Sequence, residues 1–88
     1  MRIFEVASSI EIYSRTGCHL CEQLIEEIEP LLQGRARLEV RNIDSRADWH
    51  AKYDTRVPVV EVDGRFICEH RLERAALRRA LGGTECQP

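Results

Sequence analysis

Two cysteines separated by two residues, Cys18-His19-Leu20-Cys21, fall where one sequence pattern stops and another begins. Ahead of them, Ile10-Glu11-Ile12-Tyr13 alternates apolar with polar or amphipathic residues and carries β-branched isoleucines, which predicts a strand. Behind them, Leu20, Leu24, Ile25, Ile28, Leu31 and Leu32 recur at helical spacing, opposite Glu22, Gln23, Glu26, Glu27 and Glu29. Ser14 to Gly17 supplies the turn between the two. A Cys-x-x-Cys that opens a helix directly after a strand reads as a redox-active dithiol rather than a structural staple. The rest of the chain can be tested against that reading.

The spacing carries its own chemistry. A thiol attacks a disulfide as thiolate. Cys18, at the start of the helix, meets the positive end of the helix dipole and backbone N–H groups that lack intrahelical partners, both of which favour the anion. Arg15, and His19 when protonated, add to that field, while Glu22 opposes it. Residues three apart share a helix face, so Cys21 can reach a mixed disulfide formed on Cys18 and release the substrate. Cys18 is therefore expected to be exposed, and Cys21 more covered and less acidic.

With 88 residues the chain holds one domain, 1–88, with a core over about 10–81 and peripheral segments 1–9 and 82–88. Hydrophobic content of 43% and charged content of 32% are those of a globular protein. No apolar run approaches the roughly 20 residues that span a bilayer. The N-terminus, Met1-Arg2-Ile3-Phe4-Glu5-Val6, is charged and unlike a signal peptide, so a cytoplasmic, reducing location is expected. A net charge of −2 gives no pull toward nucleic acid or membrane, and a monomer is expected. The early glutamates and the late Arg65, Arg71, Arg74, Arg78 and Arg79 read as solvated helix faces, the alternative being a basic docking face for an acidic partner.

Further along, Pro30 conflicts with an unbroken helix, which predicts a kink there or a break followed by one short turn, with Gly34 as terminator. Leu38 to Ile43 alternates as a second strand. Ser45 and Asp48 resemble a capping box ahead of a short helix through Ala47 to Tyr53, whose Trp49 and Tyr53 share a face and read as core. Val57 to Val62 is a strand, Asp63-Gly64 a hairpin turn, and Arg65 to Cys68 the returning strand. Leu72, Ala75, Ala76, Leu77, Ala80 and Leu81 line a last helix closed by Gly82-Gly83. Residues 1–9 fit an added edge strand or a loose segment equally well. The first two strands, joined through a helix, should be parallel, and the last two antiparallel.

This order, with Cys18-x-x-Cys21 opening the first helix and Val57-Pro58 starting the third strand, resembles the thioredoxin fold and, within it, the small glutaredoxins. Cys-His-Leu-Cys followed by an acidic residue is most similar to a group of short, glutaredoxin-like bacterial proteins. The resemblance covers roughly 10–81. It implies an α/β three-layer fold, with a four-stranded mixed sheet of order 2-1-3-4 flanked by three helices. It implies a thiol–disulfide oxidoreductase in which Cys18 is the nucleophile and Cys21 the resolving thiol. Arg15 stands where glutaredoxins often place a lysine, which implies a substrate contact. Val57 and Pro58 match a Val-Pro whose proline is cis and whose valine backbone pairs with bound peptide or glutathione; taken alone, Pro58 also fits an ordinary edge-strand proline. The implied partners are protein or low-molecular-weight thiols and disulfides, with no cofactor held permanently. Glutathione or a thioredoxin-type reductase system would be the external reductant.

Some positions depart from that pattern. Aligned from Pro58, the family's Gly-Gly falls on Cys68 and Glu69, its glutathione-binding aspartate falls on or near Arg71, and the Thr before Val-Pro is Arg56. Arg56 and Arg71 point to an anionic or protein substrate. His19 is either a titrating modulator of Cys18 or an exposed residue in a permissive position. Cys68 is either a small buried residue at a strand end or a groove-facing thiol able to trap a disulfide or a metal. Cys86 reads as an exposed thiol in the tail. Two other functions use the same residues. One is zinc or iron–sulfur binding through Cys18 and Cys21 with His19 or Cys68, though a second Cys-x-x-Cys is missing and no metal site is assigned. The other is a docking module working through the Val57-Pro58 groove.

Overall fold

The computed structural model describes residues 8–32 and 36–81. Its strands are β1 (Ser8–Ser14), β2 (Ala36–Asn42), β3 (Val59–Val62) and β4 (Arg65–Glu69); its helices are α1 (His19–Leu32), α2 (Ala47–Tyr53) and α3 (Arg74–Ala80). The sheet order is β2-β1-β3-β4. β2 runs parallel to β1, and β3 is antiparallel to both β1 and β4. At the hairpin, Asp63 has φ 51° and Gly64 φ 83°, the two positive values that a tight hairpin turn matching the strand twist requires.

Period-two alternation divides the sheet into two apolar faces. Ile10, Ile12, Val60 and Val62 turn to one face, where Leu24, Ile28 and Leu32 of α1, Leu77 of α3 and Cys68 close the main core. Tyr13 and Val59 turn to the other and pack with Ile43 and Tyr53 of α2, flanked by Trp49. Helices therefore cover both faces, and the sheet is the middle of three layers. Each fully buried aliphatic side chain contributes about 1.5–3 kcal/mol, which explains why these few positions dominate a chain this small. Tyr13 stacks on Tyr53 at 4.2 Å and meets Trp49 edge-on at 5.6 Å, so Tyr53 is core and Trp49, partly buried, packs at its edge.

Several boundaries differ from the sequence reading. β1 begins at Ser8 rather than Ile10, because Ser8 and Ser9 pair with Ala36 and Arg37, and Asp63 exchanges hydrogen bonds with Ser9. Residues 1–7, Gly34, Gly82-Gly83 and Cys86 lie outside the described residues. α1 runs through Pro30 to Leu32 without a break. Pro30 sits in the last turn, where the carbonyl it leaves unpaired is that of exposed Glu26, which water can satisfy. The capping box does not form. Ser45 closes a 3-10 turn and its hydroxyl donates to the Asn42 carbonyl, while Arg46 takes the N-cap position without a side-chain bond to the helix's first N–H groups. The Asp48 carboxylate is held instead by the Arg46 guanidinium and the Trp49 N–H. The last helix starts at Arg74, so Leu72 packs on the core from the preceding turn.

Candidate active site

β1 ends at Ser14, and the chain reverses through a tight turn in which Gly17 has φ +80°. That conformation suits glycine, and a Cβ placed there would meet no atom within 4 Å, so conformation rather than space selects the residue. The Cys18 N–H donates to the Arg15 carbonyl at 3.2 Å, and the Glu22 N–H donates to the Cys18 carbonyl at 3.1 Å, opening α1. The Cys18 sulfur accepts the Cys21 N–H at 3.2 Å. It thus occupies the place that a serine or aspartate oxygen takes at a helix N-cap, receiving an N–H with no intrahelical partner.

The two sulfurs lie in different surroundings. Cys18 is half-buried, whereas Cys21 is 2% exposed. Burial above all, then the hydrogen bond with Cys18, pushes the Cys21 thiol up to about 12. Cys21 is accordingly a protonated thiol at neutral pH, and Cys18 presents the accessible sulfur. His19 and Leu20, between them, are exposed.

Arg15 does not project free beside the motif. Its Nη1 donates to Asp54 Oδ1 at 2.8 Å and its Nη2 to Asp44 Oδ1 at 3.1 Å. These carboxylates raise the Arg15 pKa. His50 Nε2 lies 3.7 Å from the same two oxygens. Asp44, His50 and Asp54 went unread in the sequence because they lie far along the chain from Arg15 and belong to no motif.

Tyr13 pairs with Val59, so Pro58 enters β3 at the end of β1 that leads into the cysteine turn. The Val57–Pro58 peptide is cis, Pro58 is buried, and its carbonyl accepts the His70 N–H at 2.8 Å. Arg56 is engaged elsewhere: its Nε donates to Glu69 Oε1 at 2.7 Å and its guanidinium lies over the rings of Tyr53 and Phe66. Cys68 sits in the main core opposite Val60, 4% exposed, with its thiol pKa raised by burial. Arg71, in contrast, lines a cavity of about 360 Å³ between α1 and residues 70–74 that begins at Leu20 of the dithiol motif. Among the described residues no group of three or more His, Cys, Asp or Glu is placed to hold a metal ion. Nor is any helix among them long and apolar enough to cross a membrane.

A family model described as a glutaredoxin-like domain (DUF836) matches residues 9–82. The chain belongs to this glutaredoxin-like family. Solved structures agree. The solution structure of protein Ne2328 from Nitrosomonas europaea superposes with a TM-score of 0.78 at 29% identity, covering 90% of this chain and 96% of the other. An X-ray structure of a protein from X. campestris gives 0.65 at 28% identity, covering 85% and 97%. The holo form of glutaredoxin C1 from Populus tremula x tremuloides gives 0.56 at 22% identity over 83% and 82%, a likeness of fold alone. The glutaredoxin-like assignment and the sheet order 2-1-3-4 with three helices thus stand on independent findings.

Proposed function

We propose that this glutaredoxin-like chain is a thiol–disulfide oxidoreductase that cycles Cys18 and Cys21 between dithiol and disulfide. The observation that carries the reading is the pairing of two unlike sulfurs: an accessible Cys18 sulfur held by the Cys21 N–H at 3.2 Å, and a buried, protonated Cys21 three residues on. Cys18 thiolate attacks one sulfur of a substrate disulfide. A Cys18–substrate bond forms, and the other substrate sulfur leaves as a thiolate that takes up a proton. Cys21 then gives up its proton and attacks the Cys18 sulfur, forming the Cys18–Cys21 disulfide and releasing the second substrate thiol. Two electrons have passed from protein to substrate. An external thiol reductant, glutathione or a thioredoxin-type system, restores the dithiol, and no permanently held cofactor is required.

In this scheme Val57 offers the substrate its carbonyl beside Pro58, since the Val57 N–H donates to the Tyr53 carbonyl and the Pro58 carbonyl accepts the His70 N–H. Arg15 we assign to fixing the turn, because its guanidinium already satisfies two carboxylates. The test is turnover of bis(2-hydroxyethyl) disulfide with trapping of intermediates. Cys18→Ser should abolish turnover, and Cys21→Ser should accumulate a mixed disulfide visible by mass. Wild-type turnover in the Cys18→Ser protein would contradict the assignment.

A further inference from the structure

The cavity beside the dithiol helix is walled by Leu20, Leu24 and Glu27 of α1 and by Arg71, Leu72 and Arg74 of the segment that leads into α3. Leu20 is 46% exposed, a large apolar side chain left open between the two cysteines. From Leu20 to Glu27 the helix rises about 10 Å. That is the length of about three extended residues. The groove therefore runs from the reacting end of α1 along a path fitted to a short piece of extended chain. Its leucines are apolar, and its far wall is charged.

Those charges are unequal. Arg74 lies 3.8 Å from the Glu27 carboxylate, and the two largely offset each other. Arg71 is exposed, and its guanidinium has neither a carboxylate nor a hydrogen-bond partner among the described residues. The other two arginines that flank the site motifs are both engaged, Arg15 by Asp44 and Asp54 and Arg56 by Glu69. Arg71 is also held in place by its backbone. His70 has φ 68°, donates its N–H to the Pro58 carbonyl and places Nε2 3.1 Å from the Thr55 carbonyl; the Arg71 N–H donates to the Glu69 carbonyl at 2.7 Å. The turn sets the Arg71 backbone at the groove, where among the described residues Arg71 is the lining cation with no carboxylate beside it.

We propose that this groove seats the polypeptide segment next to a substrate's disulfide, and that Arg71 selects segments bearing an acidic residue two or three positions from the cysteine. The leucines take the apolar side chain between. This deepens the dithiol reading and rests on it, since the groove is a substrate site only if Cys18 reacts with substrate. Binding and turnover are nevertheless measured separately. Full-length Cys18→Ala protein is titrated with two fluorescent peptides, each carrying an S-methylcysteine, a leucine and then Glu or Gln. The Glu peptide should bind about fivefold more tightly at low salt, the scale of an exposed ion pair, and the margin should shrink with added salt. Arg71→Gln should erase the difference and Arg71→Glu reverse it. Equal affinity of the two peptides, no binding of either, or a preference that survives Arg71→Gln would overturn the proposal. Failure of the Cys18-dependent turnover assay would instead remove the redox reading while leaving the peptide preference measurable.

Discussion

Cys18 and Cys21 are the same side chain three residues apart, yet only one of them is open to a reagent. The difference follows from position: Cys18 caps the helix and Cys21 turns inward on its first turn. A thiol whose folded pKa is raised keeps its proton over a range in which the unfolded chain has lost it. The stabilisation is complete below the ordinary value of about 9 and is lost as pH climbs toward about 12 for Cys21. The urea midpoint of the reduced protein should therefore fall across that range, and Cys21→Ala should make the fall shallower. Tyr53 and Cys68, both also raised by burial, supply the slope that remains. An unchanged slope in Cys21→Ala would contradict this account of Cys21. The order of exposure was legible in the sequence, because i and i+3 at a helix start leave little choice. The engagement of Arg15 was not. A lysine-like position three residues before a nucleophile implies a substrate contact and says nothing of Asp44 and Asp54, which are distant in sequence and brought against Arg15 by the fold.

At the scale of elements, the strands and helices were readable wherever periodicity was strong, and misread where a local bond competed. α1 continues through Pro30 to Leu32 without the break that was one of the two expected outcomes, because near the helix end the proline leaves only the carbonyl of exposed Glu26 without its partner. The expected Ser45–Asp48 capping box lost to a 3-10 turn, in which Ser45 turns back to the Asn42 carbonyl and Asp48 pairs with Arg46. Nothing in the residue types distinguishes these outcomes, since serine and aspartate bond local backbone in several ways. α2, only seven residues long, is held by tertiary contacts rather than by its own propensity. The Tyr53 ring stacks on Tyr13, and its hydroxyl donates to Glu61 Oε2 at 2.9 Å, tying the helix to β3. Tyr53→Phe keeps the stack and removes that bond, so it should cost about 1 kcal/mol in urea denaturation. A loss of several kcal/mol would mean that the hydroxyl holds more than this one contact.

Across the whole molecule, the sheet places its three chemical segments together by register. β1 delivers the cysteine turn, its antiparallel partner β3 brings Pro58 to the same end, and β4 runs out into His70 and Arg71. The topology was legible because two motifs about forty residues apart, Cys18-x-x-Cys21 and Val57-Pro58, fit only one strand order. Which of Arg15, Arg56 and Arg71 has no carboxylate partner among the described residues was not legible, since the three differ only in the acids that folding puts beside them. The dithiol–disulfide cycle is tested by a redox titration of the purified protein in glutathione buffers, with thiols trapped and the Cys18–Cys21 disulfide read by mass. A single reversible two-electron transition, absent in Cys18→Ser, is the predicted result. No reversible transition between dithiol and disulfide would contradict the account.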